Sequence, residues 1–315
     1  MDQSGLGNAR GGVTEAFPDV SSDEGLQDRL APAFPPSPLF DLGQLSVDWE
    51  EKTGTLWTFM TPEGRPSFNR GMLRDFETWQ SEISRLFGNG SHDLRYLVLG
   101  SRFPGVWNFG GDLGLFAKFI RNSDRQSLVD YGRVCVNILH RNMNSLGLPM
   151  VTIGLVQGQA LGGGFEALLS FNVIIAERSA KFGLPEIAFG LFPGMGAHAL
   201  LIRQLGQARA ERLILSGNTY SAEELHDMGL VDMVVDDGEG VSAVEDFIRV
   251  NSRKHAGSCA VYKASREVSP VSLDELNRIV EIWADTALKL QEKDLRLMER
   301  LVAAQSKLSQ SISVD

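Results

Sequence analysis

The order of apolar and polar positions divides the chain into alternating short and long segments. Thr55-Leu56-Trp57-Thr58-Phe59-Met60 alternates and is rich in aromatic and β-branched residues. It runs into the turn Pro62-Glu63-Gly64, which predicts a hairpin or edge strand shared with the stretch around Trp49. Helical spacing predicts a helix over about 70–87, stopped by Gly88-Asn89-Gly90, and then a buried strand from Arg95 to Gly100. The plan repeats: a helix over about 123–145 precedes a strand from Val151 to Val156, and a helix after Gly162 precedes a strand from Asn172 to Ala176. Strands alternating with helices imply an α/β sheet with crossover connections.

Further on, Gly229 to Val235 reads as a short returning strand, and the remainder is helical. Ser221-Ala222-Glu223-Glu224 fits a capping box. Ser272 to about Leu308 reads as one amphipathic helix, packed on its own core or on a neighbouring subunit. At the other end, glycine, serine, acidic residues and the knot Ala33-Phe34-Pro35-Pro36-Ser37-Pro38 disfavour helix and sheet. Three regions follow: a loosely ordered arm over 1–45, a core over 46–240 and a helical region over 241–315.

Composition narrows the function classes. With 43% hydrophobic and 22% charged residues in 315, the chain can bury a large core. No stretch is apolar enough to span a membrane, and the first residues carry no signal-type apolar region, so a cytoplasmic location is expected. A net charge of −10 argues against nucleic-acid binding. Arg121, Arg125, Arg203, Arg209 and Arg212 are candidates for a local basic patch facing a phosphopantetheine or a carrier protein, or else ordinary surface arginines. Cys135 and Cys259 sit in no ligand spacing, the five histidines show no metal or triad spacing, and there is no GxSxG elbow. Neither a metal nor a cofactor is expected.

The candidate chemistry lies in glycine-rich segments. Gly158 to Glu166 follows a strand and precedes an apolar helix, and its consecutive glycines are unfavourable inside a helix. Amides at a helix start have no intrahelical acceptor and suit an anion or a developing oxyanion. A phosphate loop would need the Walker lysine or the Rossmann spacing, and neither is present. Phe109-Gly110-Gly111-Asp112-Leu113 is a second such start, with Asp112 placed to cap it. Glu166 and Glu186, the latter in Phe182-Gly183-Leu184-Pro185-Glu186, stand among apolar and glycine neighbours, where desolvation raises a carboxyl pKa toward neutrality. Each reads equally well as a structural ion-pair partner.

The strings ALGGGFE at 160–166, GLPE at 183–186, FPGMG at 192–196 and SAEELHDMGLVD at 221–232 resemble the crotonase, or enoyl-CoA hydratase/isomerase, superfamily over about 45–235. That resemblance implies a ClpP-like spiral of ββα units with a C-terminal helical trimerisation region, and a homotrimer or hexamer. It also implies Gly111 and Gly163 as the oxyanion amides and Glu166 and Glu186 as the acid/base pair. VWNFGGDL, QALGGGFEALLS, GLPEIAFGLFPGMGA and EIWADTA resemble, more narrowly, synthases of the diffusible signal factor, a cis-2-unsaturated fatty acid. This implies dehydration of a 3-hydroxyacyl thioester on acyl carrier protein, then thioester hydrolysis, with Leu161, Gly162, Met195 and Trp283 lining the apolar pocket. A sensor-kinase receiver domain is then a candidate partner. An ordinary enoyl-CoA hydratase and a non-catalytic crotonase-like binding protein are the rival readings.

Overall fold

Residues 36–312 are described by a computed structural model. Leu45–Glu50 (β1) and Thr55–Met60 (β2) form an antiparallel hairpin. Tyr96–Ser101 (β3), Val151–Val156 (β5) and Val173–Glu177 (β7) then add in parallel, and Met233–Val235 (β10) closes a six-stranded sheet of order β1-β2-β3-β5-β7-β10. Strands β3, β5 and β7 are buried along their whole length, which is why they read as continuous apolar runs, whereas edge strand β1 mixes in half-exposed polar residues. Their side chains Val98, Ile153, Leu155 and Ile175 form the centre of a core cluster with Val244 and Ile248.

Each parallel strand is followed by a short one: Gly105–Asn108 (β4), Gly158–Leu161 (β6) and Lys181–Gly183 (β8). These run parallel to one another and, with Thr219–Ser221 (β9), make a second sheet of order β4-β6-β8-β9. After each pair comes a helical segment, Leu113–Arg121, Gly163–Leu168 or the 3-10 turn Pro185–Phe189. The chain is therefore a spiral of ββα units, as expected, with one strand of every unit in each sheet. The second sheet was not legible as periodicity because its strands are three or four residues long.

Helix Arg70–Phe87 starts where the Asn69 side chain accepts from Met72 N, and it buries Met72, Phe76, Trp79 and Ile83. The capping box at Ser221 and Glu224 is formed in both directions. Three boundaries differ from expectation. The returning strand is confined to Met233–Val235. The single helix expected from Ser272 is two, Leu273–Ala287 and Glu292–Ile312; between them Gln291 N donates to the Asp294 carboxylate, which starts the second helix. Residues 1–35 of the expected arm lie outside the described residues, but Pro38–Phe40 form a 3-10 turn with Leu39 fully buried, so packing begins before residue 45.

Candidate active site

Two helix starts and two glutamates meet at one cavity of about 130 Å³. Gly111, Leu161, Gly162, Gly163, Glu166, Glu186, Met195 and Trp283, the residues picked out in the sequence, all line it. The parallel pairing of β4 with β6 accounts for this, because it sets the loops that follow the two strands side by side. Gly110 has φ +81°, and a Cβ there would stand 2.4 Å from Gly163 N, so this crossing of two backbones admits only glycine. A Cβ on Gly163 would in turn stand 3.4 Å from Gly111 N and 2.6 Å from Met195 Sδ. The amides of Gly111 and Gly163 are thus neighbours beside the cavity.

Gly163 opens its helix, and the first intrahelical bond there runs from Glu166 N to Gly162 O. The Gly163 N–H therefore lies ahead of the helical ladder, at the positive end of the peptide dipoles. In the other loop Asp112 caps its helix by accepting from Leu115 N, as expected, and pairs with Arg65 at 3.3 Å.

Both glutamates line the site, Glu166 fully buried and Glu186 half-buried with its Oε2 enclosed, and they differ in their partners. Glu166, one turn into its helix and 1% exposed, accepts at Oε1 from Met195 N at 2.8 Å and from Ala197 N at 3.0 Å. Burial raises its pKa to about 7, against the opposing pull of those main-chain donors. Glu186 lies in the 3-10 turn Pro185–Phe189, with Oε1 where a Cβ on Gly162 would stand 2.6 Å away. Its Oε2 is buried without a partner among the described residues. Burial, and then repulsion from Glu166, raise its pKa to about 8. Ion pairing, the structural alternative for these carboxylates, is absent among the described residues.

Apolar walls complete the site. Trp283, on helix Leu273–Ala287, sits edge-on to Phe116 with ring centroids 5.1 Å apart. Phe109, Leu113 and Leu191 lie alongside. Sequence reasoning missed Tyr131, Leu301 and Gln305, which also line the cavity. Leu301 and Gln305 belong to the last helix, where Arg65 donates to the Gln305 side chain over 2.7 Å. Nothing local marks them, since only the helix break at 288–291 brings that segment over the cavity. His198 is not at the cavity; its ring packs edge-on against Phe192. Of the candidate arginines, Arg121, Arg125 and Arg203 are engaged in ion pairs with Glu292 and Glu299, with Glu281 and Asp285, and with Glu275. Arg209 and Arg212 are exposed. Among the described residues no helix is long and apolar enough to cross a membrane.

Residues 67–270 match a family model described as enoyl-CoA hydratase/isomerase. A probable enoyl-CoA hydratase, echA8, of Mycobacterium leprae is 48% identical over 191 residues, covering 60% of this chain and 67% of that protein. The protein of the same name from Mycobacterium bovis is 50% identical over 84 residues, and that match spans 27% of this chain and only 33% of the relative. Among solved structures, an enoyl-CoA hydratase from Bacillus halodurans superposes with a TM-score of 0.68 at 21% identity over 82% of this chain and 100% of the other. Pseudomonas aeruginosa DspI superposes with a TM-score of 0.60 at 26% identity over 76% of this chain and 84% of the other.

Proposed function

This chain belongs to the enoyl-CoA hydratase/isomerase family, and on that premise we propose that it dehydrates a 3-hydroxyacyl thioester, carried by acyl carrier protein, to the cis-2-enoyl form and then hydrolyses the thioester to the free acid. One observation carries the reading: two carboxyl groups with unequal partners share an apolar cavity with two neighbouring main-chain amides.

The inequality supports a division of roles. Glu166, held by two N–H donors, is the group that ionises first and takes the C2 proton. The charge moves to the thioester oxygen, where Gly111 and Gly163 N–H receive it; losing one such donor typically costs about 3 kcal/mol of barrier. Glu186, whose buried Oε2 has no partner among the described residues, keeps its proton and delivers it to the departing C3 hydroxyl, which leaves as water. Dehydration ends with Glu166 protonated and Glu186 ionised. That state suits hydrolysis: Glu186 takes a proton from water as it attacks the carbonyl, the same amides hold the tetrahedral oxyanion, and Glu166 protonates the departing thiolate. Both carboxyls then return to their starting forms.

The apolar walls at Phe109, Leu113, Phe116, Leu161, Met195 and Trp283 support an alkyl chain beside the thioester. The same reading assigns residues 46–240 to the spiral core and 241–315 to a helical region that closes the cavity and assembles the subunits as a trimer or hexamer. Exposed Val261, Val268 and Ile282 on that region support the assembly.

A second reading, hydration of trans-2-enoyl-CoA, is favoured by the likeness to probable enoyl-CoA hydratases. Incubation with a 3-hydroxyacyl carrier protein and, separately, with crotonyl-CoA distinguishes them. Free cis-2-enoic acid from the first supports the proposal, and hydration of the second alone replaces it. Turnover of neither leaves the crotonase-like binding protein as the surviving reading.

A further inference from the structure

Helix Arg125–Met143 places one polar group against the loop that carries Gly111. The Tyr131 hydroxyl donates to Phe68 O at 2.5 Å and accepts from Asp112 N at 3.2 Å. Burial raises the pKa of this phenol well above its ordinary value, so its single proton stays in place for the Phe68 carbonyl and its lone pairs face Asp112 N. Phe68 N in turn donates to Gly110 O at 2.8 Å, and Gly110 N donates to the Asn108 side-chain oxygen at 2.7 Å. The amides on either side of Gly111 are therefore committed to Asn108 and Tyr131. Between them Gly111 N has no acceptor among the described residues and lies beside Gly163 at the cavity.

Resting on the thioester reading above, we propose that Tyr131 is the positioning residue of the oxyanion site: by binding Asp112 N and Phe68 O it holds the loop in the turn that leaves Gly111 N–H for the thioester oxygen. Its ring, edge-on to Phe116 at 4.8 Å between centroids, fixes where the hydroxyl stands. The hydroxyl touches no reacting atom. Its effect is on the aim of another group, and such an effect appears in the transition state more than in ground-state binding.

Tyr131→Phe keeps the ring and removes both hydrogen bonds. The probe is 2,4-hexadienoyl-CoA, whose ultraviolet absorption moves to the red when hydrogen bonds polarise its carbonyl. The wild-type protein is expected to bind it with a red shift, and the variant to bind it with a smaller one. On the substrate that the wild type turns over, kcat is expected to fall roughly 10- to 100-fold with KM within about twofold. An unchanged shift with unchanged kcat overturns the inference and leaves the thioester reading standing. A wild-type protein that binds the probe without any red shift overturns both.

Should the variant fail to fold, amide hydrogen exchange on the wild-type protein decides. The Asp112 N–H is expected to exchange at least about tenfold more slowly than the Gly111 N–H, and the latter to slow when hexadienoyl-CoA binds. Equal rates at the two positions overturn the proposal.

Discussion

The main-chain N–H of Met195 meets Oε1 of Glu166 over 2.8 Å, and Glu186 has no counterpart to that contact at its buried Oε2. Two residues of one type, in one cavity, are in this way made chemically different. A carboxylate that accepts from main-chain donors is stabilised as the anion, while one without donors in an apolar site is stabilised as the acid.

Replacing either carboxyl by its amide keeps shape and removes proton transfer. Glu166→Gln and Glu186→Gln are each expected to lower kcat by about 10² to 10⁴, the usual contribution of a positioned acid or base. The double variant should lose little more than the worse single one, because the two groups act in a single relay. Steady-state rates of the three proteins check this; full turnover in either single variant ends the proposed mechanism.

The rate should be bell-shaped in pH. It rises as Glu166 ionises, with a pKa near about 7, and falls as Glu186 loses its proton, near about 8. Because the charges repel across the cavity, the two limbs belong to the pair, and Glu186→Gln should erase the alkaline limb rather than shift it. A profile of kcat/KM from pH 5 to 10 reads both limbs.

Stability should respond to the same groups with a definite sign. Each folded-state pKa lies above the ordinary value of 4.5, so between 4.5 and about 8 the folded chain retains protons that the unfolded chain has lost. The contribution is complete below pH 4.5 and is lost as pH rises through the folded-state values. Glu186→Gln should therefore raise the melting temperature at pH 9, by several degrees in order of magnitude, and change it little at pH 5. Equal shifts at the two pH values, measured by calorimetry, would contradict the assignment.

Gly110→Ala tests the contact between the two loops. A methyl group would meet Gly163 N at 2.4 Å, and φ of +81° strains any side chain, so the loops must separate. A loss of about 1 to 3 kcal/mol in stability is expected. A fall of roughly 100-fold in kcat should accompany it, with a small change in KM. Denaturant unfolding and rate measurements on one preparation separate the two effects.

Arg65 ties the last helix to the site by reaching Gln305 at 2.7 Å and Asp112 at 3.3 Å. Its side chain is 11% exposed, so Arg65→Ala leaves the Gln305 and Asp112 oxygens short of a buried donor, a loss of about 1 to 3 kcal/mol. Faster proteolysis within Glu292–Ile312 and a raised KM are expected. Arg121→Ala, which removes exposed pairs to Glu292 and Glu299, should change stability far less than Arg65→Ala, and less still in high salt.

Much of this was legible in the residues alone. Strand β2, helix Arg70–Phe87, strand β5 and the capping box at Ser221 rest on short-range causes: apolar periodicity, β-branched content, and side chains that bond amides three residues away. The two glycine-rich helix starts and both glutamates were legible for the same reason, since bare backbone beside a carboxylate is a local mark. Tertiary structure decided the rest. The short strands of the second sheet exist only because neighbouring strands, distant in sequence, complete their hydrogen bonds. Tyr131 and Gln305 reach the site through contacts 63 and 240 residues apart in the chain. The difference between Glu166 and Glu186 depends on amides 29 and 31 residues beyond the first of them, and no reading of either residue's own neighbourhood contains it. Which carboxyl is charged is set by the donors and the dielectric around it in space, and these come into being only when the chain has folded.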